Sequence, residues 1–112
     1  MGELEDILSE LQMHNQQLQA IMIQKQALMI QDKEMEKALE EIEKCSDEEI
    51  FKSIGPILVK SPKEEVKKEL EDGREDTDLK IKSLERQEAR VKQKIKSIQE
   101  KFQALAQSGS GG

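Results

Sequence analysis

Tryptophan and tyrosine are absent from the 112-residue chain, and aromatics make up only 2% of it. So little side-chain bulk cannot fill the interior of a compact domain, which argues against a globular enzyme. Cysteine is nearly absent too. Cys45 stands alone, so no internal disulfide can form, and its place between polar residues near a helix end suits a reducing compartment. Histidine occurs once, as His14, and there is no paired His or Cys, no metal-ligand spacing and no Gly-rich phosphate loop. No catalytic residues, no metal and no cofactor are expected. Long apolar runs are missing as well: nothing approaches the roughly 20 residues that span a bilayer. The start, Met1-Gly2-Glu3, has no basic segment ahead of an apolar core, and Asp6 stands where a myristoylation motif needs Ser or Thr. A cytoplasmic location is the expectation.

What is present is charge and helical periodicity. Charged residues form 38% of the chain, net −6. With Leu4 as a, the a positions of the first segment are Leu4, Leu11, Leu18, Lys25, Asp32 and Leu39, and the d positions are Ile7, His14, Ile21, Leu28, Met35 and Ile42. Nine of these twelve are apolar, a coiled-coil seam over a helix spanning residues 4–44. Leu8, Met22 and Met29 at e widen the seam, while Ile23 and Ile30 at f carry apolar groups to the far side; whether that belt meets a partner is left open. In the second segment Leu70, Arg74, Thr77, Ile81, Leu84, Glu88, Val91, Ile95, Ile98, Phe102 and Leu105 recur in steps of four and three. Ser61-Pro62-Lys63-Glu64 opens that helix, with Ser as cap, Pro at the first helical position and Glu three residues after the cap. The helix is expected over 62–107, followed by a flexible tail, 108–112.

Between the helices, residues 49–60 read as a β-hairpin, with Ile50-Phe51-Lys52-Ser53 and Ile57-Leu58-Val59-Lys60 as strands and Ile54-Gly55-Pro56 as the turn. A short connection between helices of similar length folds them back antiparallel, each reaching roughly 60 Å at about 1.5 Å per residue. Placing Lys44 near Pro62 sets the register and puts Asp32 opposite Arg74, two polar seam positions that answer each other. Ile57, Leu58 and Val59 are apolar on both faces, and a lone hairpin is marginal in water, so strands of other chains are needed to cover it. The fold class is mainly α: a long antiparallel two-helix coiled coil with one β-hairpin between the helices, through which the chain is expected to oligomerise.

The hairpin run Phe51-Lys52-Ser53-Ile54-Gly55-Pro56-Ile57-Leu58-Val59-Lys60, with Leu84-Glu85-Arg86-Gln87-Glu88 and Gln24-Lys25-Gln26, resembles the beta-class subunits of prefoldin. The resemblance covers nearly the whole chain, and its most specific part is the hairpin; a single hairpin fits the beta class, and Phe51 stands where many members have Tyr. It implies a hexamer of two alpha-class and four beta-class subunits, hairpins joined in a double β-barrel, and ATP-independent capture of unfolded proteins at the coiled-coil ends for transfer to a group II chaperonin. Several weak apolar grips acting on one unfolded chain sum through avidity and remain releasable.

Candidate client contacts are Ile7, Leu8, Leu11 and Met13 on the first helix and Ile98, Phe102 and Leu105 on the second. Residues at a and d serve the seam first, whereas Leu8 and Met13 lie off the strict seam, and the pliable thioether of Met suits varied partners. Ile50, Phe51, Ile57, Leu58 and Val59 are assigned to assembly. From Lys80 to Lys101 there are eight Lys or Arg against three Glu, whereas Glu34 to Asp78 holds sixteen acidic residues against eight basic. That basic stretch suits docking to the chaperonin or acidic clients; the alternative is a solvated face laced with i,i+4 ion pairs. Nucleic acid is disfavoured by the net charge and by the lack of interleaved aromatics. A structural coiled-coil adaptor with one fixed folded partner, or a homo-oligomer built on the hairpin, are the competing readings.

Overall fold

The computed structural model describes residues 2–110. Two long helices flank one hairpin, in the order α1 (Glu3–Lys44), β1 (Glu49–Ile54), β2 (Ile57–Pro62) and α2 (Lys63–Ser110). Acidic Glu3, Glu5 and Asp6 occupy the first turn of α1 and Lys44 its last, matching the helix dipole at both ends. The helix closes with a tightened turn, in which the Cys45 N–H donates to the Ile42 carbonyl at 3.1 Å. The Cys45 carbonyl then accepts from Lys63 Nζ at 2.6 Å, so the first residue of α2 satisfies an orphan acceptor left by α1.

The chain divides into two compact units. A terminal unit holds α1 up to Gln26 together with α2 from Lys82, and a hairpin unit holds residues 27–81. Within each, the buried residues all lie on the seams read from the sequence. In the terminal unit Ile7, His14 and Ile21 of α1 and Leu84, Val91, Ile95 and Ile98 of α2 are buried. In the hairpin unit Ile42 and Thr77 are buried, with Leu28, Met35, Leu39, Leu70 and Ile81 half-buried. Steps of four and three put these residues on one stripe of each helix, and burying that stripe is the main source of stability for helices this polar.

Polar seam positions are all partnered. Arg74 donates from Nε to Asp32 Oδ1 at 3.0 Å and from Nη2 to Asp32 Oδ2 at 3.2 Å, the opposition expected from the sequence. Lys25 and Glu88, both on seams, form a second pair at 3.2 Å. The Thr77 hydroxyl donates to the Gly73 carbonyl one turn back, at 2.8 Å. His14 Nδ1 bonds Gln17 Oε1 at 2.9 Å. Among the described residues no buried side-chain nitrogen or oxygen lacks a partner, as the cost of an orphaned buried polar group demands.

Three boundaries differ from the sequence reading, each by a few residues. Ile54 belongs to β1 and pairs with Ile57, which leaves Gly55 and Pro56 as a two-residue turn. Gly55 has φ +58°, and Pro56 is held near −65° by its ring, the signs of a type II′ hairpin turn with Gly at its first position. At the other end, β2 runs through Ser61 to Pro62, which pairs with Glu49, so α2 starts at Lys63 instead of Pro62. The ladder continues because the Lys63 N–H donates to the Glu48 carbonyl at 2.7 Å. That bond makes Glu49 and Pro62 a non-hydrogen-bonded pair, where no donor is asked of Pro. Finally, α2 extends through Ser108, Gly109 and Ser110, residues expected in the tail. No Pro interrupts that run, and Gly in a helix costs only about 1 kcal/mol; the rest of the expected tail, 111–112, lies outside the described residues.

Candidate functional site

Two surfaces bring apolar side chains to solvent. The first is the hairpin. Cross-strand partners share a face of a ladder, so Ile50, Lys52 and Ile54 lie with Ile57, Val59 and Ser61 on one face, while Phe51 and Ser53 lie with Leu58 and Lys60 on the other. On the first face Ile50, Lys52, Val59 and Ser61 are half-buried, and Lys52 Nζ reaches Glu69 of α2 at 2.6 Å. The second face is bare, with Phe51 68% and Leu58 69% exposed; on the first face Ile57, beside the turn, is exposed too. The five assembly candidates thus fall into two groups, Ile50 and Val59 turned toward the rest of the unit and Phe51, Ile57 and Leu58 presented outward. With two strands in the sheet, both outer edges keep unpaired backbone groups.

The second surface is the end of the terminal unit where α1 begins and α2 finishes. Glu3 and Leu4 of α1 and Phe102, Leu105 and Ala106 of α2 line a shallow cavity of about 370 Å³. Its apolar lining stays open because the seam runs out of partners: Leu4 lies in the first turn of α1, and Phe102, though on the seam, remains 37% exposed. Leu8 and Met13, off the seam, are 49% and 51% exposed, while Leu11 and Leu105 are half-buried.

The sequence-derived client candidates therefore separate by burial. Ile98 is 5% exposed, the most buried apolar residue of the chain's seams, and Ile7 is buried with it. These two hold the helices together and are not presented to a ligand. Leu8, Met13 and Phe102 are presented; Leu11 and Leu105 are partly so. Leu4 was read as seam and proves to be open lining, a difference its position in the first helical turn signals. Met22 and Ile23 in the terminal unit, and Met29 and Ile30 in the hairpin unit, are exposed, as their e and f positions require.

Two cross-helix ion pairs of the hairpin unit shift the titration of their members. The Arg74 guanidinium, by hydrogen bonding, holds the Asp32 carboxyl below the usual carboxylate range, and Asp32 in turn raises Arg74. Lys67 Nζ lies 2.6 Å from Glu43, lowering the Glu43 carboxyl and raising the Lys67 ammonium, again chiefly through the hydrogen bond. In the basic stretch of α2, Glu88 and Lys92 make an i,i+4 contact at 4.0 Å. Among the described residues no group of three or more His, Cys, Asp or Glu is placed to hold a metal ion, and no helix is long and apolar enough to cross a membrane.

The comparisons with known proteins agree with this architecture. A family model described as "Prefoldin subunit" matches residues 5–109. The chain is 38% identical to prefoldin subunit beta of Archaeoglobus fulgidus, over 99% of this chain and all of that protein. It is 36% identical to prefoldin subunit beta of Pyrococcus furiosus, over 98% of this chain and 95% of that one. The crystal structure of the prefoldin beta subunit from Thermococcus strain KS-1 superposes with a TM-score of 0.87 at 31% identity, covering 94% of this chain and 93% of that chain. With its two seams, its single hairpin and these relatives taken together, the chain belongs to the prefoldin family, on the side of the beta subunits.

Proposed function

We propose that the chain is a subunit of an ATP-independent chaperone that holds unfolded polypeptides and passes them to a group II chaperonin in the cytoplasm. In this reading the hairpin joins those of other subunits in a β-barrel, two alpha-class and four beta-class chains to the hexamer. The bare face of Phe51 and Leu58, together with exposed Ile57 beside the turn on the other face, supports it, because burying such side chains between strands of several chains is worth roughly 1.5–3 kcal/mol each and removes the open edges. Binding falls to Leu8, Met13, Phe102 and the apolar cavity beside Leu4 and Leu105, with Leu11 at its margin; Ile7 and Ile98 set the spacing of the helices that carry them.

The observation that carries the reading is the placement of exposed apolar groups at the end of a paired-helix unit, where a flexible apolar segment can lie across both helices. Each such contact is weak, and affinity comes from several subunits gripping one chain. The experiment is native mass spectrometry of the chain with and without an alpha-class subunit, followed by aggregation assays on the species formed. A hexamer of two plus four that suppresses aggregation of an unrelated denatured protein without nucleotide is expected. A stable monomer or dimer that ignores the alpha subunit, or an assembly that binds one folded partner and leaves aggregation untouched, would move the assignment to a coiled-coil adaptor.

A further inference from the structure

A groove of about 550 Å³ runs between α1 and α2 in the terminal unit. Ile21 and Val91, both buried seam residues, form its floor. Its walls carry Gln17 and Gln24 from α1 and Gln87, Arg90 and Lys94 from α2. Two cations and three amides face the groove and no carboxylate does, in a chain of net charge −6.

The cations are not part of an ordinary solvated ion-pair face. Along α2 the residues one turn either side of Arg90 are Arg86 and Lys94, and those three away are Gln87 and Gln93. Every neighbour of Arg90 within helical reach is therefore cationic or neutral, an arrangement of like charges that weakens the helix instead of supporting it. Among the described residues no ion pair engages Arg90 or Lys94, and the Arg90 guanidinium donates only weakly, at 3.5 Å, to the Arg86 carbonyl.

We infer that this groove binds an extended acidic polypeptide segment carrying carboxylates at alternate residues. Arg90 and Lys94 are about 6 Å apart along the helix axis, and side chains two residues apart in an extended peptide lie on one face, roughly 6.6 Å apart. Carboxylates in a Glu-x-Glu pattern thus meet both cations at once. Their methylene stems lie over Ile21 and Val91. The amides supply donors and acceptors for the peptide backbone: Gln17 gives its carbonyl oxygen to His14 and keeps its NH2 for the groove. Nucleic acid fits less well, since no aromatic side chain lines the groove to stack a base, and Glu3, Glu5, Asp6 and Glu10 lie in the same unit.

The inference rests on the polypeptide-binding reading and adds a sequence preference to it: acidic stretches are taken by the groove, apolar ones by the end of the unit. Its test is fluorescence anisotropy with the full chain and a labelled, unstructured peptide of alternating Glu and Gly, against the same peptide with Gln for Glu. The Glu peptide is expected to bind about tenfold more tightly than the Gln peptide and to weaken as salt rises. The double variant Arg90→Gln, Lys94→Gln, at two exposed positions off the seam, is expected to lose about tenfold in affinity. Lys101→Gln, outside the groove, is expected to change it less than twofold. Equal binding of the two peptides, or indifference to the double variant, overturns the assignment, as does tighter and equally variant-sensitive binding of a thymidine oligonucleotide. Loss of aggregation suppression in a Leu8→Ser, Met13→Ser chain that still binds the Glu peptide shows the two sites to be separate. Suppression of aggregation without Glu-peptide binding sinks the groove and spares the chaperone reading, and peptide binding without suppression does the reverse.

Discussion

Asp32 and Arg74 sit on the two apolar seams, one on each helix, and face each other with two hydrogen bonds of 3.0 and 3.2 Å. A second acceptor, Glu36 one turn further along α1, lies 3.4 Å from the same Arg74 Nη2. A slip of one helix past the other by a heptad would separate the guanidinium from both carboxylates. The pair therefore acts against alternative registers, the use for which polar residues at seam positions are best attested.

Stability should depend on pH through this pair. The Asp32 carboxyl titrates below its ordinary value of 3.8, so its contribution is present above the unfolded-state pKa and is lost as pH falls through the lower, folded-state value. Glu43, lowered from 4.5 by Lys67, acts in the same sense. Melting temperatures followed from pH 6 down to about pH 2 should fall most steeply below about pH 4, and Asp32→Asn should flatten that fall. An unchanged slope in the variant would show that the pair contributes nothing to acid sensitivity.

Lys25 and Glu88 allow a charge-swap experiment. Their side chains are largely shielded from solvent and 3.2 Å apart. Lys25→Glu alone places two carboxylates together and is expected to destabilise the chain. Adding Glu88→Lys should restore most of the loss, with a coupling of about 0.5–1 kcal/mol in urea melts. Additive losses would mean the two groups do not interact in solution.

Burial separates structural from binding residues at the end of the terminal unit. Ile98→Ala removes a buried seam side chain and should cost about 2–5 kcal/mol. Met13→Ser and Leu8→Ser change exposed positions and should alter stability by no more than about 0.5 kcal/mol each, while lowering aggregation suppression by the assembled protein. Thermal melts and light scattering on the same preparations distinguish the two effects; a Met13 variant with full suppression removes that residue from the binding surface.

Gly73 offers a stabilising change. An added Cβ would meet the Met35 sulfur at 3.0 Å, which is close, yet the neighbour is the far part of an unbranched and adaptable side chain. Gly73→Ala should then gain up to about 1 kcal/mol from helix propensity and from a less flexible unfolded chain. Destabilisation in a urea melt would show that Met35 is wedged and that Gly73 is required for the helices to approach.

Much of this architecture was legible in the residues because the signals are local. Heptad spacing named Ile7, Ile21, Ile42, Leu84, Val91, Ile95 and Ile98, all buried, and the Gly55-Pro56 step marked the turn that the φ of Gly55 bears out. The short link between the helices carried enough register information to place Asp32 against Arg74. It does not bring Lys25 and Glu88 together, although both are polar seam positions, because over the length of a helix small departures from an ideal period accumulate. The end of β2 departs from the sequence expectation for a different reason: Ser61-Pro62 is a good helix entry taken alone, and only the partner strand, through the Glu48 carbonyl, draws those residues into the ladder.

Periodicity, turn chemistry and charge thus determined the elements, their antiparallel pairing within each unit and the residues that form the seams. Which apolar side chains remain open was decided only by tertiary structure. Leu4, Ile7, Ile98 and Phe102 share the same kind of position in the pattern, yet Ile7 and Ile98 are closed while Leu4 and Phe102 line a cavity. A repeat describes one helix at a time, whereas exposure depends on how far the partner helix covers it, and that coverage ends before the seam does.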